Sequence, residues 1–191
     1  MIFRSRPSRI GMLLRLTSCI FLFISLIAPV FAQEQVQINT PYVSTPPAVV
    51  LEMLQLARPK ATDVIYDLGC GDGRIVIEAA KRYGARGVGV DNNPDRIREA
   101  QENARREGVS HLVEFRIADL YETDLQRATI VALYLLPDVN LRLRPKLKSE
   151  LPHGARIVSH NFGMGDWKPK KTRTVDGETV FLWKIRHAWL F

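Results

Sequence analysis

The sequence predicts a doubly wound α/β fold: a mostly parallel seven-stranded sheet, helices on both faces, and a C-terminal antiparallel hairpin. Three observations predict it. From residue 63 to residue 160, short and nearly continuous apolar runs alternate with helix-like segments, the pattern of parallel strands buried on both faces. A glycine-rich loop at 69–73 stands where the first run should turn into the first crossover helix. Asp176-Gly177 divides the last stretch, 170–190, as a tight hairpin turn would.

The elements follow in order. In 46–57 (PPAVVLEMLQLA), Val49, Val50, Met53, Leu54 and Ala57 recur at helical spacing, and a proline suits the first turn. Residues 63–68 (DVIYDL) read as a strand and 74–83 (RIVIEAAKRY) as a helix ended by Gly84. A short strand at 87–90 precedes a helix at 94–106, with Asn93 as its cap and Gly108 just past its end. Strands are expected at 113–117, 129–136 and 156–160. A helix is expected at 141–151, kinked or shortened by Pro145.

The N-terminus has a different character. Residues 1–18 are basic, 19–31 are almost wholly apolar, and Val30-Phe31-Ala32 places small residues as a leader-peptidase site requires. Residues 1–32 therefore read as a signal peptide or signal anchor, 33–62 as a lead-in with the N-terminal helix over the ligand site, and 63–191 as the catalytic domain. Arginines before the apolar run favour export of the domain or its attachment to a membrane, on the periplasmic side if the signal is cleaved. The formal charge is +7, but four arginines lie in this segment, and without them 23 basic residues face 20 acidic ones. That balance is ordinary for a small soluble domain and makes the basicity a weak argument for a nucleic-acid partner, which is not expected. The basic run Lys168–Arg173 reads as a solvated rim, with binding of nucleic acid or anionic lipid as the alternative. Cys19 and Cys70 are the two cysteines, so a disulfide framework is excluded, and the four histidines show no metal-ligand spacing.

The chemistry centres on Asp67-Leu68-Gly69-Cys70-Gly71-Asp72-Gly73-Arg74. A dinucleotide site asks for G-x-G-x-x-G, so that pyrophosphate lies on a helix N-terminus. Here the third position is Arg74, and an acid, Asp67, precedes the loop. An acid there suits a cationic ligand. S-adenosyl-L-methionine, with a sulfonium and an ammonium and no phosphate, meets that requirement, and D-x-G-x-G-x-G is its arrangement in class I methyltransferases. Asp91 ends the second strand about 20 residues on, where a carboxylate can receive both ribose hydroxyls. Asp119, after the third strand, can receive the adenine amino group.

With these residues placed, residues 41–185 resemble the ATP synthase c-subunit lysine methyltransferases and their bacterial relatives, seven-strand Rossmann-like enzymes. Pro41-Tyr42-Val43-Ser44-Thr45 looks like the segment those proteins lay over the cofactor, and Asp67–Val76 matches their glycine motif almost residue for residue. Leu136-Pro137 looks like their short turn after the fourth strand, and Phe162 and Trp167 like aromatics after the fifth. The resemblance implies Tyr42 and Thr45 at the cofactor and N-methylation of an accessible protein lysine, on a membrane protein in some relatives. The second-strand acid, commonly Glu there, is Asp91 here.

Methyl transfer to an amine needs a neutral acceptor, and an apolar or aromatic wall lowers an ammonium pKa. Tyr134, Pro137, Phe162 and Trp167 are the candidates for that wall. The Asn/Asp-Pro-Pro-Tyr/Phe signature used on planar nitrogens is absent, with Tyr134-Leu135-Leu136-Pro137 in its place. A small-molecule acceptor, or an exported binding module that kept the fold, are the alternatives. No metal is expected, and no residue stands out as a general base.

Overall fold

The computed structural model describes residues 43–186. The leader 1–32, the lead-in through Tyr42 and residues from His187 onward lie outside the described residues. Among the described residues, no helix is long and apolar enough to cross a membrane.

The elements are α1 (Pro47–Ala57), β1 (Val64–Leu68), α2 (Arg74–Tyr83), β2 (Arg86–Asp91), α3 (Pro94–Arg106), β3 (Val113–Ile117), β4 (Ile130–Leu133), α4 (Pro137–Glu150), β5 (Arg156–His160), β6 (Lys171–Val175) and β7 (Glu178–Lys184). They form one seven-stranded sheet of order β3-β2-β1-β4-β5-β7-β6. Strands β1 to β5 pair in parallel, while β7 pairs antiparallel with both β5 and β6. The expected seven strands, parallel body and closing hairpin are all present. Asp176 and Gly177 both take positive φ, 50° and 81°, as the primed hairpin turn demands.

Helix ends follow local chemistry. Asn93 accepts the Asp95 amide at 2.9 Å and caps α3, whose first residue is Pro94. Gly84 closes α2 in the left-handed conformation.

Two expectations need correction. The strand expected at 129–136 ends at Leu133, and the helix expected at 141–151 begins four residues earlier, at Pro137. Pro137 occupies the first turn, where its missing N–H is an orphan anyway. Pro145 lies inside α4 without ending it. Its exposed side faces solvent, while Leu143 and Leu147 on the opposite face are fully buried. That burial offsets the cost of an interior proline, about 3 kcal/mol for the lost hydrogen bond and the ring clash together.

Strand residues alternate between two cores. Ile65, Ile130, Ala132, Val158, Val180 and Leu182 pack with α1 and α2. Leu68, Val131, Leu133, Ile157 and Trp183 pack with α4 and with Leu125. By that alternation, the residues just past β4 and at the end of β5, Tyr134 and His160, belong to the α1 side. The chain runs from β1 outward to β3 and then crosses back to β4, so the β1/β4 boundary is the topological switch point. Ligands of such sheets bind there, outside the carboxyl ends of the strands.

Candidate active site

At the switch point the backbone leaves β1 and folds over the end of β2. The amides of Gly69 and Cys70 both donate to the Val90 carbonyl, at 2.8 and 3.0 Å. Gly69, Gly71 and Gly73 all have positive φ (82°, 53° and 77°), a region that costs an L-residue about 1–2 kcal/mol. Gly73 is further restricted, because a Cβ there would stand 2.6 Å from the Phe115 ring. The loop therefore turns tightly and leaves its amides beside the strand ends.

Asp91, the last residue of β2, receives the Gly71 amide on Oδ2 at 3.0 Å and the Asn93 amide on Oδ1 at 2.9 Å. A carboxylate has about four lone-pair sites, so each oxygen retains capacity for a ligand hydroxyl.

Asp67 is 2% exposed, and no hydrogen-bond donor among the described residues reaches its carboxyl. Burial, then the neighbouring charges of Asp72 and Asp91, push its pKa up to about 8. Asp72 is offset by Arg74, whose Nε donates to it at 2.9 Å. Asp67 has no such partner among the described residues. A buried, uncompensated carboxyl among other acids fits a cationic ligand and opposes a pyrophosphate. The residues present thus fit S-adenosyl-L-methionine. Cys70 is buried in the same loop, and burial drives its thiol pKa upward, so it is no nucleophile.

The segment just before α1 is tied to the start of α2 at Thr45. Arg74 Nη1 donates to the Thr45 carbonyl at 2.8 Å, and Thr45 is buried. Tyr42 lies outside the described residues. Asp119 is exposed beyond β3 and receives the Tyr121 amide at 2.7 Å, which fixes its carboxylate at the same sheet edge.

Just past β4, Tyr134 stacks on His160 with centroids 3.9 Å apart, and Phe162 lies 6.3 Å from Tyr134, nearly parallel. Pro137 opens α4 just beyond. Trp167, expected beside these aromatics, belongs elsewhere. Its ring lies 6.0 Å from Trp183, its carbonyl receives the Trp183 indole N–H at 2.8 Å, and Lys148 sits 4.8 Å over its face. It packs the hairpin against α4, because Trp183 points to that side of the sheet.

Sequence reasoning missed His160, Asn161 and Glu178 as a group. The fully buried His160 approaches Glu178 through Nε2 at 3.2 Å, and Asn161 donates to the same carboxylate. The hairpin turn Asp176-Gly177 fixes where β7 begins, with Glu178 as its first residue, but only the pairing of β7 with β5 brings that residue to His160. Asn140 in α4 is fully buried and donates to the Phe162 carbonyl at 3.2 Å, which ties α4 to this segment. Two grooves lie away from this edge. One of about 250 Å³ is formed by α3 and β3, and one of about 500 Å³ lies at the amino ends of β4 and β5 beside Lys60 and Arg156.

Comparison with known proteins identifies the family. Residues 67–171 match the ANTKMT methyltransferase domain. A protein-lysine N-methyltransferase of Saccharolobus islandicus is 43% identical over 152 residues, covering 77% of this chain and 94% of that protein. The ATP synthase c-subunit lysine N-methyltransferase of Xenopus laevis is 33% identical over 145 residues, 76% of this chain but 63% of the longer frog protein. Among solved structures, an RNA methyltransferase from Salinibacter ruber in complex with S-adenosyl-L-homocysteine superposes with a TM-score of 0.75 at 53% identity, covering 76% of this chain and 95% of that one. The glycine loop, the acid-lined switch point and these matches lead to one conclusion: the chain belongs to the ANTKMT methyltransferase domain family and is an S-adenosyl-L-methionine-dependent methyltransferase.

Proposed function

We propose that the protein methylates the side-chain amine of a lysine on a protein substrate. The observation that carries this reading is the Tyr134–Phe162 wall, a pair of parallel rings beside the switch point. The lysine methyltransferases to which the chain is similar support it.

When bound, S-adenosyl-L-methionine supplies a sulfonium-activated methyl group. Asp91 would hold the ribose hydroxyls, Asp67 would face the cationic portion and Asp119 the adenine amino group. The chain's remaining task is to present a neutral amine in line. An ammonium laid against Tyr134 and Phe162 loses hydration, which lowers its pKa and favours release of its proton to solvent before attack. The basic-then-apolar segment at residues 1–32 supports action at a membrane, with a membrane protein as substrate.

A specific observation favours a second reading. The Salinibacter structure that is 53% identical is described as an RNA methyltransferase, and Lys168, Lys170, Lys171 and Arg173 form a basic rim on this chain. One experiment separates the two. The full chain is incubated with methyl-tritiated S-adenosyl-L-methionine and, separately, with total cell protein and total RNA, and acid hydrolysates are resolved. Label in methyl-lysine is the expected result. Label in methylated nucleosides alone would overturn the lysine reading.

A further inference from the structure

The group at the start of β7 lies apart from the carboxylates assigned to the cofactor, Asp67, Asp91 and Asp119. Glu178 is 37% exposed at its side chain, and both of its hydrogen bonds fall on Oε2, one from Asn161 and one shared with His160 Nε2. Oε1 takes none among the described residues, and no lysine or arginine among them pairs with this carboxylate. Its charge reaches Tyr134, whose phenol is raised by burial and then by Glu178. The Asn161 and His160 contacts hold the Glu178 carboxyl below its ordinary range, while burial keeps His160 below its own. The pair therefore carries a net negative charge at neutral pH.

The backbone is bent to make this arrangement. Asn161 has φ +59°, a left-handed conformation that asparagine tolerates better than most residues. It is held there by its amide to the Thr179 carbonyl at 2.7 Å and by the Thr179 amide to its side-chain oxygen at 2.9 Å. Strain of this kind persists where surrounding contacts over-determine it, and it clusters at functional sites.

We propose that Glu178 is the carboxylate that receives the cationic acceptor amine beside the Tyr134–Phe162 wall, with His160 and Asn161 as positioning residues that aim it. The assignment rests on the lysine reading above. A carboxylate with one free oxygen at the rim of an aromatic wall draws an ammonium by charge, and the wall then strips its hydration. A neutral or anionic acceptor gains nothing from it.

The test compares the full-length protein with Glu178→Gln and Glu178→Asp, scoring methyl-lysine formed in total cell protein and, by calorimetry, S-adenosyl-L-methionine affinity. Glu178→Gln should lose about tenfold in methyl-lysine rate at subsaturating acceptor, the scale of one charge-assisted contact. Its cofactor affinity should be unchanged, which also shows that it folds. Glu178→Asp should recover part of the rate. Methyl-lysine undiminished in Glu178→Gln, or Glu178→Asp no better than Glu178→Gln, overturns the assignment and leaves the lysine reading intact. No methyl-lysine from the wild type removes both.

Discussion

Asp91 accepts the Gly71 amide at 3.0 Å, so the end of β2 fixes the middle of the loop that follows β1. The same carboxylate is the one proposed for the ribose hydroxyls. Asp91→Ala should weaken S-adenosyl-L-methionine binding by about 1–3 kcal/mol, or roughly 5- to 150-fold in Kd. Calorimetric titration measures this directly. Unchanged affinity would remove Asp91 from the ribose.

Asp67 predicts a pH dependence. The folded chain keeps its proton up to about pH 8, while the unfolded chain loses it near pH 4. Between those values the native state binds the extra proton, so the stability of the ligand-free protein falls as pH rises and levels off above pH 8. Asp67→Asn should flatten that slope in thermal melts. A cationic ligand favours the carboxylate, so binding at pH 7 should release a proton. Titrations in two buffers of different ionisation enthalpy would show it in the wild type and not in Asp67→Asn.

Gly73→Ala should destabilise the domain even without ligand. The left-handed φ costs about 1–2 kcal/mol, and the added Cβ meets Phe115 at 2.6 Å. A lower Tm is expected, partly recovered when Phe115→Leu is added, because the two positions share one contact. Equal Tm loss in the single and double variants would mean that the backbone term alone acts.

Tyr134 and Trp167 should behave in opposite ways. Tyr134→Ala is expected to lower methyl-lysine formation at least tenfold with cofactor affinity retained. Trp167→Ala should lower stability by about 2 kcal/mol through its contacts with Trp183 and Lys148, with turnover per folded molecule unchanged. A Trp167 variant that is stable but inactive would return this residue to the acceptor site.

What the sequence determined by itself was local or periodic. The bounds of α2 and α3 follow from Gly84, Asn93 and Pro94, because caps and fixed φ values act over one turn. The parallel sheet follows from apolar runs that need cover on both faces, and the loop from glycines that alone accept positive φ at little cost. The start of α4 was not legible, since Leu136-Pro137 reads equally as a turn or a first helical turn; burial of Asn140, Leu143 and Leu147 decided it. Trp167 and Phe162 look alike in sequence, five residues apart, yet the side of the sheet taken by Trp183 draws one away and the Tyr134 ring holds the other. Only the tertiary structure could bring Glu178 to His160, because pairing β7 against β5 joins residues 18 apart along the chain, and no local preference encodes that approach.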